Sequence, residues 1–591
     1  MDQEILNYLN KQKKYFYQEI PKFLEKLKKG NHPLTRENDA LLYQFHEIDV
    51  LLALLNNLDE YNQTQNEENK RDKNEILEQI FQSISYAFQS LDKNSFIAGN
   101  DIDGKSYAVN FHFYANMISM LAFKELGKNY QSKIEDFIKR TKNGVLIAKP
   151  TIEKYATYQI KAYRGLNLIF LDIASMYLAS EFFNEPEWKT IAKKALERLM
   201  KRFDPDEGYM PDNRDEDEDV GPSTSYFVYT MFTVSFLLRL CPDNQLGYKL
   251  QRGIDWMLRS NYPNGQMVDI YDERGRLKPY KEEEFATISL FNRSPLFACS
   301  PGGRDMIQYW ENHATQAADL GTIANDINFF DSILKINPGF FEAMDSKNSQ
   351  WLSKRESHYY CYQNQKSAFY KEGNWVFAFH GYLSGSIDPK SLWHRELQQH
   401  FSIYYQGLSV IIGGGNSLGQ PEFSTLRTTE KYLCDMVKVL PKNGNTQSLL
   451  LINGEWQAIL SIAYKNQTEF QINLEVTKTG KGEAFFQFPL VGYSSRKELF
   501  VDETKIGVFD EKESKGKITK SISFKGKTKE KNYTVLLTTN KIANYAWPII
   551  PVNVREPGVP PLTLKEAVTV VSIPLHNQKG SILVSGKVLF T

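Results

Sequence analysis

The 591-residue sequence contains little cysteine, and the few cysteines that it has are widely separated. They are Cys241, Cys299, Cys361 and Cys434, and none belongs to a CxxC pair. A disulfide framework and a thiolate zinc site both depend on more cysteines at closer spacing, so neither is expected. We predict that the four thiols are free.

The sequence also has no excess charge of either sign. Lys+Arg and Asp+Glu are equal at 71 each, which leaves no basic field to attract a nucleic acid. The N-terminal segment lacks the continuous apolar run of a signal peptide, and no stretch offers the roughly 18 apolar residues of a membrane span. We therefore expect no nucleic-acid partner, no membrane insertion, and a cytoplasmic location unless a leader has been removed.

Aromatic residues are abundant, with 33 Tyr, 37 Phe and 8 Trp, or 13% of the chain. Flat side chains with polar tips suit the apolar faces of sugar rings, but they suit any core equally well. Hydrophobic residues at 41% and charged residues at 24% are typical of a globular protein. The length predicts about two to four structural units.

Helical periodicity dominates the first part of the chain, where connecting stretches are rich in Gly, Pro, Asn and Asp. The predicted helices include residues 40–58, 73–90, 108–126, 163–182, 187–202, 223–240, 246–259 and 316–336. So many successive helices must close on themselves or form a solenoid to bury their apolar faces. We predict an (α/α) toroid, complete or incomplete, over residues 1–350.

From about Ser357 the apolar period changes to two, and turns rich in Gly, Asn and Lys separate short runs. The predicted strands include residues 375–382, 401–412, 448–453, 458–464, 485–488, 533–538 and 567–574. The Pro-rich segment 548–561 is expected to be a loop or an edge feature. We predict an antiparallel β-sandwich over residues 351–591, and hence an α+β multidomain fold.

Two polar motifs follow one another in the helical part. Residues 163–188 (YRGLNLIFLDIASMYLASEFFNEPEW) carry Asn167, and residues 220–229 (VGPSTSYFVY) carry Tyr226. They resemble, in order, the asparagine motif and the Glu-Gly-Pro-Ser-Tyr-x-x-Tyr segment of the heparinase II/III-like polysaccharide lyases. Residues 261–265 (NYPNG) resemble the Tyr-Pro-Asp-Gly turn of that family.

A third motif lies at the start of the β part. Residues 393–415 (WHRELQQHFSIYYQGLSVIIGGG) are similar to the family segment in which histidines and an aspartate precede a strand, a Gly turn and a second strand. The His-x-His-x-Asp pattern is reduced here to His394, Glu396 and His400. In the asparagine motif, Leu166 and Leu168 replace the other polar members.

The resemblance implies a lyase that cleaves a uronate-containing polysaccharide or oligosaccharide by β-elimination. This chemistry needs a donor that neutralises the uronate carboxylate, a base for the C5 proton and an acid for the leaving oxygen. The resemblance assigns these catalytic roles to Asn167, Tyr226 and His394. The partner that it implies is an acidic polysaccharide or oligosaccharide.

Six further side chains are candidates for substrate binding because they are cationic, aromatic or imidazole groups near the motifs or in polar loops. They are Arg164, Tyr229, Arg304, His313, Trp393 and His400. Each also has a purely structural interpretation, as an ion-pair partner, a packed ring or a buried histidine. His394, Glu396 and His400 could ligate a structural metal, but they lack the spacing of a metal signature, so no metal and no other cofactor is expected.

Two other functions are compatible with the sequence. A glycoside hydrolase on a helical toroid would use a carboxylate pair such as Glu311 and Asp319, or acids within residues 212–219. Alternatively, the aromatics would bind carbohydrate without turnover. An unsaturated product would indicate the lyase, and new reducing ends without an unsaturated product would indicate the hydrolase. Binding without any product would indicate the non-catalytic protein.

Overall fold

The structure of the protein is a computed structural model. It describes residues 3–31, 40–93, 106–160, 166–211, 221–222, 224–271, 282–291, 293–344, 349, 351, 355–362, 364, 366–384, 396–413, 416–491, 496–507, 513–528, 531–552, 563–564, 567–575 and 581–591. Within these ranges, only the backbone is described at residues 40–44, 90–93, 106–113, 128, 166–168, 224–226, 229, 282–285, 288, 343, 496–497 and 507.

Helices fill the first part of the chain. They are α1 (Gln3–Lys28), α2 (Ala40–Asn56), α3 (Leu58–Thr64), α4 (Lys73–Lys93), α5 (Ser106–Ala156), α6 (Leu166–Phe182), α7 (Pro186–Met200), α8 (Thr224–Leu238), α9 (Asn244–Arg259), α10 (Glu282–Phe291), α11 (Pro301–His313), α12 (Leu320–Ile336) and α13 (Phe340–Ala343). Gly127, at a φ of 54°, breaks α5 into two helices. Side-chain oxygens cap helix starts at Asp72, Asp243, Ser300 and Asp319.

The helices close into a ring. Helix α2 packs against α5, α5 against α6, α6 against α8, α8 against α12, and α12 against α2. Helix α1 presents an apolar stripe that includes Ile5, Leu9, Phe16 and Ile20, and it packs against α12. A ring in which the last long helix contacts the first ones buries the apolar faces that an open array would leave exposed. The predicted helical toroid is confirmed.

Strands fill the second part, and those in the described residues pair antiparallel. They are β1 (Ser357–Cys361), β2 (Ser367–Glu372), β3 (Trp375–His380), β4 (Phe401–Tyr405), β5 (Ser409–Ile412), β6 (Leu426–Thr428), β7 (Met436–Asn443), β8 (Thr446–Asn453), β9 (Trp456–Asn466), β10 (Glu469–Lys478), β11 (Ala484–Val491), β12 (Arg496–Val501), β13 (Thr504–Gly507), β14 (Ser514–Ile518), β15 (Ser521–Lys527), β16 (Asn532–Thr539), β17 (Ala543–Ile549), β18 (Val568–Leu575) and β19 (Ser581–Phe590). The predicted β-sandwich is confirmed by the two sheets that they form.

The first sheet has the order β1-β2-β3-β4-β5-β11-β18-β17-β14, with β6 also paired to β11, and the second has the order β13-β12-β15-β16-β19-β10-β9-β8-β7. Pro548 was expected in a loop or at an edge, but it lies inside β17, between two other strands. The register of β17 against β18 shifts between Ala546 and Ile549, so the ladder is already irregular where the proline lacks an N–H.

Burial patterns show that the structure has three layers. Strand β8 alternates between buried and partly buried residues, as in a sheet with one covered face, whereas β3 is buried throughout. In β3, Val376 and Ala378 belong to the helical core, and Phe377 and Phe379 belong to the core between the sheets. The first sheet therefore lies between the helical ring and the second sheet.

Two further expectations can be compared with the described residues. All four cysteines are free, as predicted. In the described ranges, no helix has both the length and the hydropathy of a membrane-crossing segment.

Candidate functional site

Side chains of the helical domain reach the first sheet along a buried junction. The Tyr262 hydroxyl lies 2.7 Å from Ser402 Oγ, and the Tyr262 ring stacks on Tyr404 with centroids 4.7 Å apart. The Tyr271 hydroxyl donates to the carbonyl oxygen of Ala368 at 3.0 Å. At this junction, residues from two distant parts of the chain come together.

A tight turn between α7 and α8 contributes one carboxyl group to the junction. Asp204 Oδ1 accepts hydrogen bonds from the backbone N–H groups of Asp206 (2.9 Å) and Glu207 (2.6 Å). Gly208 lies at a φ of +85°, and a Cβ atom there would be 2.8 Å from Arg252 of α9. Because the turn is pressed against α9, the Glu207 side chain has a fixed direction toward the first sheet.

Glu207 bonds to two residues of the sheet domain. Ser367 Oγ donates to Glu207 Oε1 at 3.1 Å, and the Tyr382 hydroxyl donates to Oε2. Burial raises the pKa of Glu207 to about 8; the charge of Asp204 adds to the increase, and the hydrogen bonds from Tyr382 and Ser367 oppose it. Glu207 is therefore mostly a neutral carboxylic acid at pH 7.

Tyr382 contacts both domains. A Cβ atom added to Gly221, just before α8, would lie 2.7 Å from Tyr382 Cγ, so the entry to α8 packs directly on this ring. The ring also stacks on His380 with centroids 5.3 Å apart and meets the Tyr271 ring edge-on at 6.0 Å. Tyr382 thus connects the start of α8 to the histidines of the sheet.

His380 and His400 are cross-strand neighbours. The N–H of His380 donates to the carbonyl oxygen of His400 at 3.0 Å, and the ring centroids are 4.9 Å apart. Burial lowers the pKa of His400 to about 4, and that of His380 well below its usual value. Both rings are therefore neutral at pH 7.

The three predicted catalytic residues lie only partly within the described structure. Asn167 is the second residue of α6 and Tyr226 the third residue of α8, with Tyr229 one turn further on. The side chains of Asn167, Tyr226 and Tyr229 are outside the described part of the chain. His394, like the predicted binding residues Arg164 and Trp393, lies outside it altogether.

Two predicted binding residues, Arg304 and His313, lie near opposite ends of α11, about 14 Å apart at 1.5 Å per residue. Arg304 is paired with Glu4 of α1 and donates to the carbonyl oxygen of Ala298 at 2.9 Å. His313 stacks on Tyr309 with centroids 4.0 Å apart. The two side chains do not share a site, and the Arg304 guanidinium already has partners.

His400, another predicted binding residue, is 1% exposed. Its ring has no surface that a sugar could reach in this conformation. Its position next to His380 indicates a supporting place behind the junction instead.

Of the possible metal set of His394, Glu396 and His400, His394 lies outside the described residues, and the Glu396 carboxylate bonds to other groups. Its Oε1 accepts from the Tyr432 hydroxyl at 2.8 Å, and its Oε2 accepts from Gln398 Nε2 and from the N–H of Gly419. Within the described part of the chain, no group of three or more His, Cys, Asp and Glu side chains could hold a metal ion. Glu396 therefore links the segment before β4 to the segment after β5 and the segment after β6.

The carboxylates considered for a hydrolase are also engaged. Glu311 forms an ion pair with Lys11, and Asp319 caps α12 by accepting from the N–H of Thr322 at 2.7 Å. Residues 212–219 lie outside the described residues.

Three residues of the junction were missed by the sequence reasoning, namely Glu207, His380 and Tyr382. A signal was present for two of them: strand residues alternate between faces, so His380 and Tyr382 continue the face of Val376 and Ala378. Glu207 offered no such signal, because it stands in an acidic stretch that is typical of a solvated loop.

Solved structures share this fold. Heparinase III aligns with a TM-score of 0.50 and 11% identity over 100% of this chain and 94% of that one. A mutant of heparan sulfate lyase HepC from Pedobacter heparinus aligns with a TM-score of 0.49 and 10% identity over 93% of this chain and 75% of that one. A chondroitinase AC lyase aligns with a TM-score of 0.41 and 10% identity over 94% and 76% of the two chains.

No family model and no curated protein matches the sequence. At such low identity, the similarity to heparinase III shows the fold alone. The predicted architecture, a helical ring followed by a β-sandwich, is thereby confirmed.

Proposed function

We propose that the protein is a polysaccharide lyase that cleaves a uronate-containing polysaccharide or oligosaccharide by β-elimination. One observation carries the proposal: the entry to α8, which leads to Tyr226, packs at Gly221 on Tyr382, and Tyr382 stacks on His380, which in turn contacts His400. The motifs that resemble lyase motifs in the sequence therefore approach one junction from two domains.

The start of α6 supports the same site. Helices α6 and α8 pack against each other. In a ring of alternating up and down helices, every second helix runs in the same direction, so α6 and α8 are expected to begin at the same end. Asn167 and Tyr226 both stand in the first turn of their helices. They would then lie near each other at the end that faces the sheet.

In the proposed reaction, the amide of Asn167 donates to the uronate carboxylate and stabilises the enolate that develops when the C5 proton leaves. Tyr226 or His394 takes that proton. The bond between C4 and the leaving oxygen breaks, a C4–C5 double bond forms, and a Tyr hydroxyl protonates the leaving oxygen. The products are a free hydroxyl group and a 4,5-unsaturated uronate.

The test is a panel of hyaluronan, chondroitin sulfate, heparin, heparan sulfate and alginate, each as polymer and as oligosaccharides. The purified protein is expected to generate the ultraviolet absorbance of the unsaturated uronate with at least one of them. Mass spectrometry should find products whose masses add up to the mass of the substrate. New reducing ends without absorbance would identify a hydrolase. Tight binding without any product would identify a non-catalytic carbohydrate-binding protein.

A further inference from the structure

Tyr382 occupies the point where the proposed site is assembled. Its ring contacts Gly221, which precedes α8, and stacks on His380. His380 in turn contacts His400, which follows residue 394 in the sequence. Its hydroxyl bonds to Glu207. No contact with a substrate is needed for these side chains to matter, because they touch the elements that carry the reacting groups.

We infer that Glu207 and Tyr382 are positioning residues: their hydrogen bond holds the Tyr382 ring against the entry to α8 and so sets the position of the start of α8, which carries Tyr226, relative to the first sheet. The inference rests on the proposed function for its effect on turnover. Its structural part, a fixed contact between helix entry and sheet, stands independently of that function.

Packing restrains the Tyr382 ring on several sides, and the hydrogen bond to Glu207 restrains its hydroxyl end. Gly381 packs so closely on β7 that a Cβ atom there would overlap the carbonyl group of Val437. The stack on His380 and the edge contact with Tyr271 enclose the ring from two further sides. Glu207 therefore supplies the remaining restraint.

Glu207 is itself held in place. Besides the contact of its turn with α9, the neighbouring Asp206 Oδ2 accepts from the backbone N–H of Asn364 at 2.7 Å. Ser367, at the start of β2, donates to the other Glu207 oxygen. Asp206 and Glu207, adjacent in one turn, thus bind the segment that joins β1 to β2 and the start of β2. Glu207 also binds Tyr382.

The first experiment compares Glu207→Ala and Tyr382→Phe with the conservative Glu207→Gln, which keeps an acceptor for the Tyr382 hydroxyl. We expect Glu207→Ala and Tyr382→Phe to lower kcat about ten- to a hundredfold with KM changed less than about threefold, because a small misplacement of reacting groups slows turnover without removing a substrate contact. Glu207→Gln should retain wild-type kcat.

Hydrogen exchange separates this inference from the proposed function. Backbone amides at residues 221–228 and 396–402 should exchange faster in Glu207→Ala and Tyr382→Phe than in the wild type, whether or not a substrate has been found. If the wild type cleaves none of the polymers, the proposed function fails while exchange still tests the contact. Unchanged exchange and unchanged kcat in both variants would overturn the inference.

Tyr262→Phe is the matched control. It removes a buried hydroxyl that also bridges the domains, to Ser402, but that lies outside the contact between Gly221 and Tyr382. It should leave kcat and the exchange of residues 221–228 near wild type. An equal loss of kcat in Tyr262→Phe would mean that any weakened junction has this effect and would refute a specific role for Tyr382.

A double-variant cycle tests the contact itself. Gly221→Ala places a methyl group against the Tyr382 ring and should lower kcat, and Tyr382→Leu should make room for that methyl group. The double variant is then expected to be at least about threefold more active than the product of the two single effects, because residues in contact are not additive. Additive effects would show that Gly221 and Tyr382 do not act through each other.

Discussion

The rings of His380 and His400 lie 4.9 Å apart on neighbouring strands, and both continue the sheet face that packs on the helical domain. Burial keeps both imidazoles neutral, and a charge on one ring would further disfavour a charge on the other. Protonation of either imidazole costs free energy in the folded state but not in the unfolded state. As the pH falls, the junction should therefore be destabilised before most carboxylates are protonated.

The first prediction concerns the acid side of stability. The folded pKa of His400 is about 4 against an ordinary value of 6.5, so the unfolded chain binds more protons between these values. The free energy of unfolding should therefore fall as pH decreases from about 6.5 to about 4, by up to about 3 kcal/mol from this group. His400→Gln should flatten this dependence in urea unfolding measured at several pH values. An unaltered slope would show that His400 titrates normally.

The second prediction concerns Glu207, whose effect has the opposite sign. Its folded pKa of about 8 exceeds the ordinary 4.5, so the folded state binds the extra proton and its stability should decrease as pH rises from about 4.5 to about 8. Glu207→Gln should remove this decrease, with a slope difference of up to about 1.4 kcal/mol per pH unit.

The charged and titratable groups that act electrostatically with Glu207 come from its own turn, from the segment before α10 and from the sheet: Asp204, Asp206, Tyr271, Tyr360, Cys361, Tyr362 and Tyr382. None of them is a cation that would stabilise the carboxylate. Asn364→Ala, which keeps all of these groups, is the control and should retain the wild-type pH dependence.

The alternation of apolar residues made much of the fold predictable. Strand β3 was expected at residues 375–382 and lies at Trp375–His380, and helix α2 was expected at 40–58 and lies at Ala40–Asn56. Helix α5 was expected at residues 108–126; the chain instead has a kink at Gly127 and continues as a second helix. Local sequence shows that a helix breaks but not that another begins at once.

The junction could be predicted far less. Glu207 finds its partners Ser367 and Tyr382 at separations of 160 and 175 residues, and no local pattern encodes such pairings. In the sequence the acidic stretch around Glu207 is typical of solvated loops, yet Glu207 is buried. The order of the motifs predicts a site with residues from both domains. Only the structure identifies the side chains that join the two domains at the junction.

The third prediction concerns the closure of the helical ring. Arg293 Nη2 lies 2.7 Å from Asp326 Oδ2, both side chains are fully buried, and Tyr8 of α1 donates to the same oxygen at 2.7 Å. Asp326→Ala leaves the guanidinium buried without its counter-ion and should lower the free energy of unfolding by about 3–5 kcal/mol. Chemical denaturation measures the change.

An exposed ion pair provides the comparison. Lys11 is paired with Glu311 on the surface, with the Lys11 side chain 63% exposed. Lys11→Ala should cost less than about 1 kcal/mol. Equal effects of Lys11→Ala and Asp326→Ala would contradict the role given to the buried pair. Arg293→Met combined with Asp326→Leu should recover most of the lost stability, since the pair is then replaced by apolar volume.

The fourth prediction concerns Asn167. If its amide stabilises the enolate, Asn167→Ala should reduce kcat by about a hundredfold or more, since loss of one such donor is worth a few kcal/mol of transition-state stabilisation. The melting temperature should change little. A variant that keeps most of its activity would show that Asn167 serves only the start of α6.

The last prediction concerns Tyr226, the proposed proton-transfer residue. A phenol has an ordinary pKa near 10, so a base of this type must be stabilised as phenolate by donors or a cation at the site. Tyr226→Phe keeps the ring and loses only the hydroxyl, so stability should change by at most about 1 kcal/mol, whereas kcat should fall at least about a hundredfold. Tyr229→Phe, one helical turn away, is the comparison: as a candidate for substrate binding, Tyr229 should affect KM more than kcat. If Tyr229→Phe is inactive and Tyr226→Phe is active, the reaction stands with the neighbouring tyrosine as its base. If both variants fold and remain active, proton transfer by a tyrosine of α8 must be abandoned, and His394 becomes the group to test as the base.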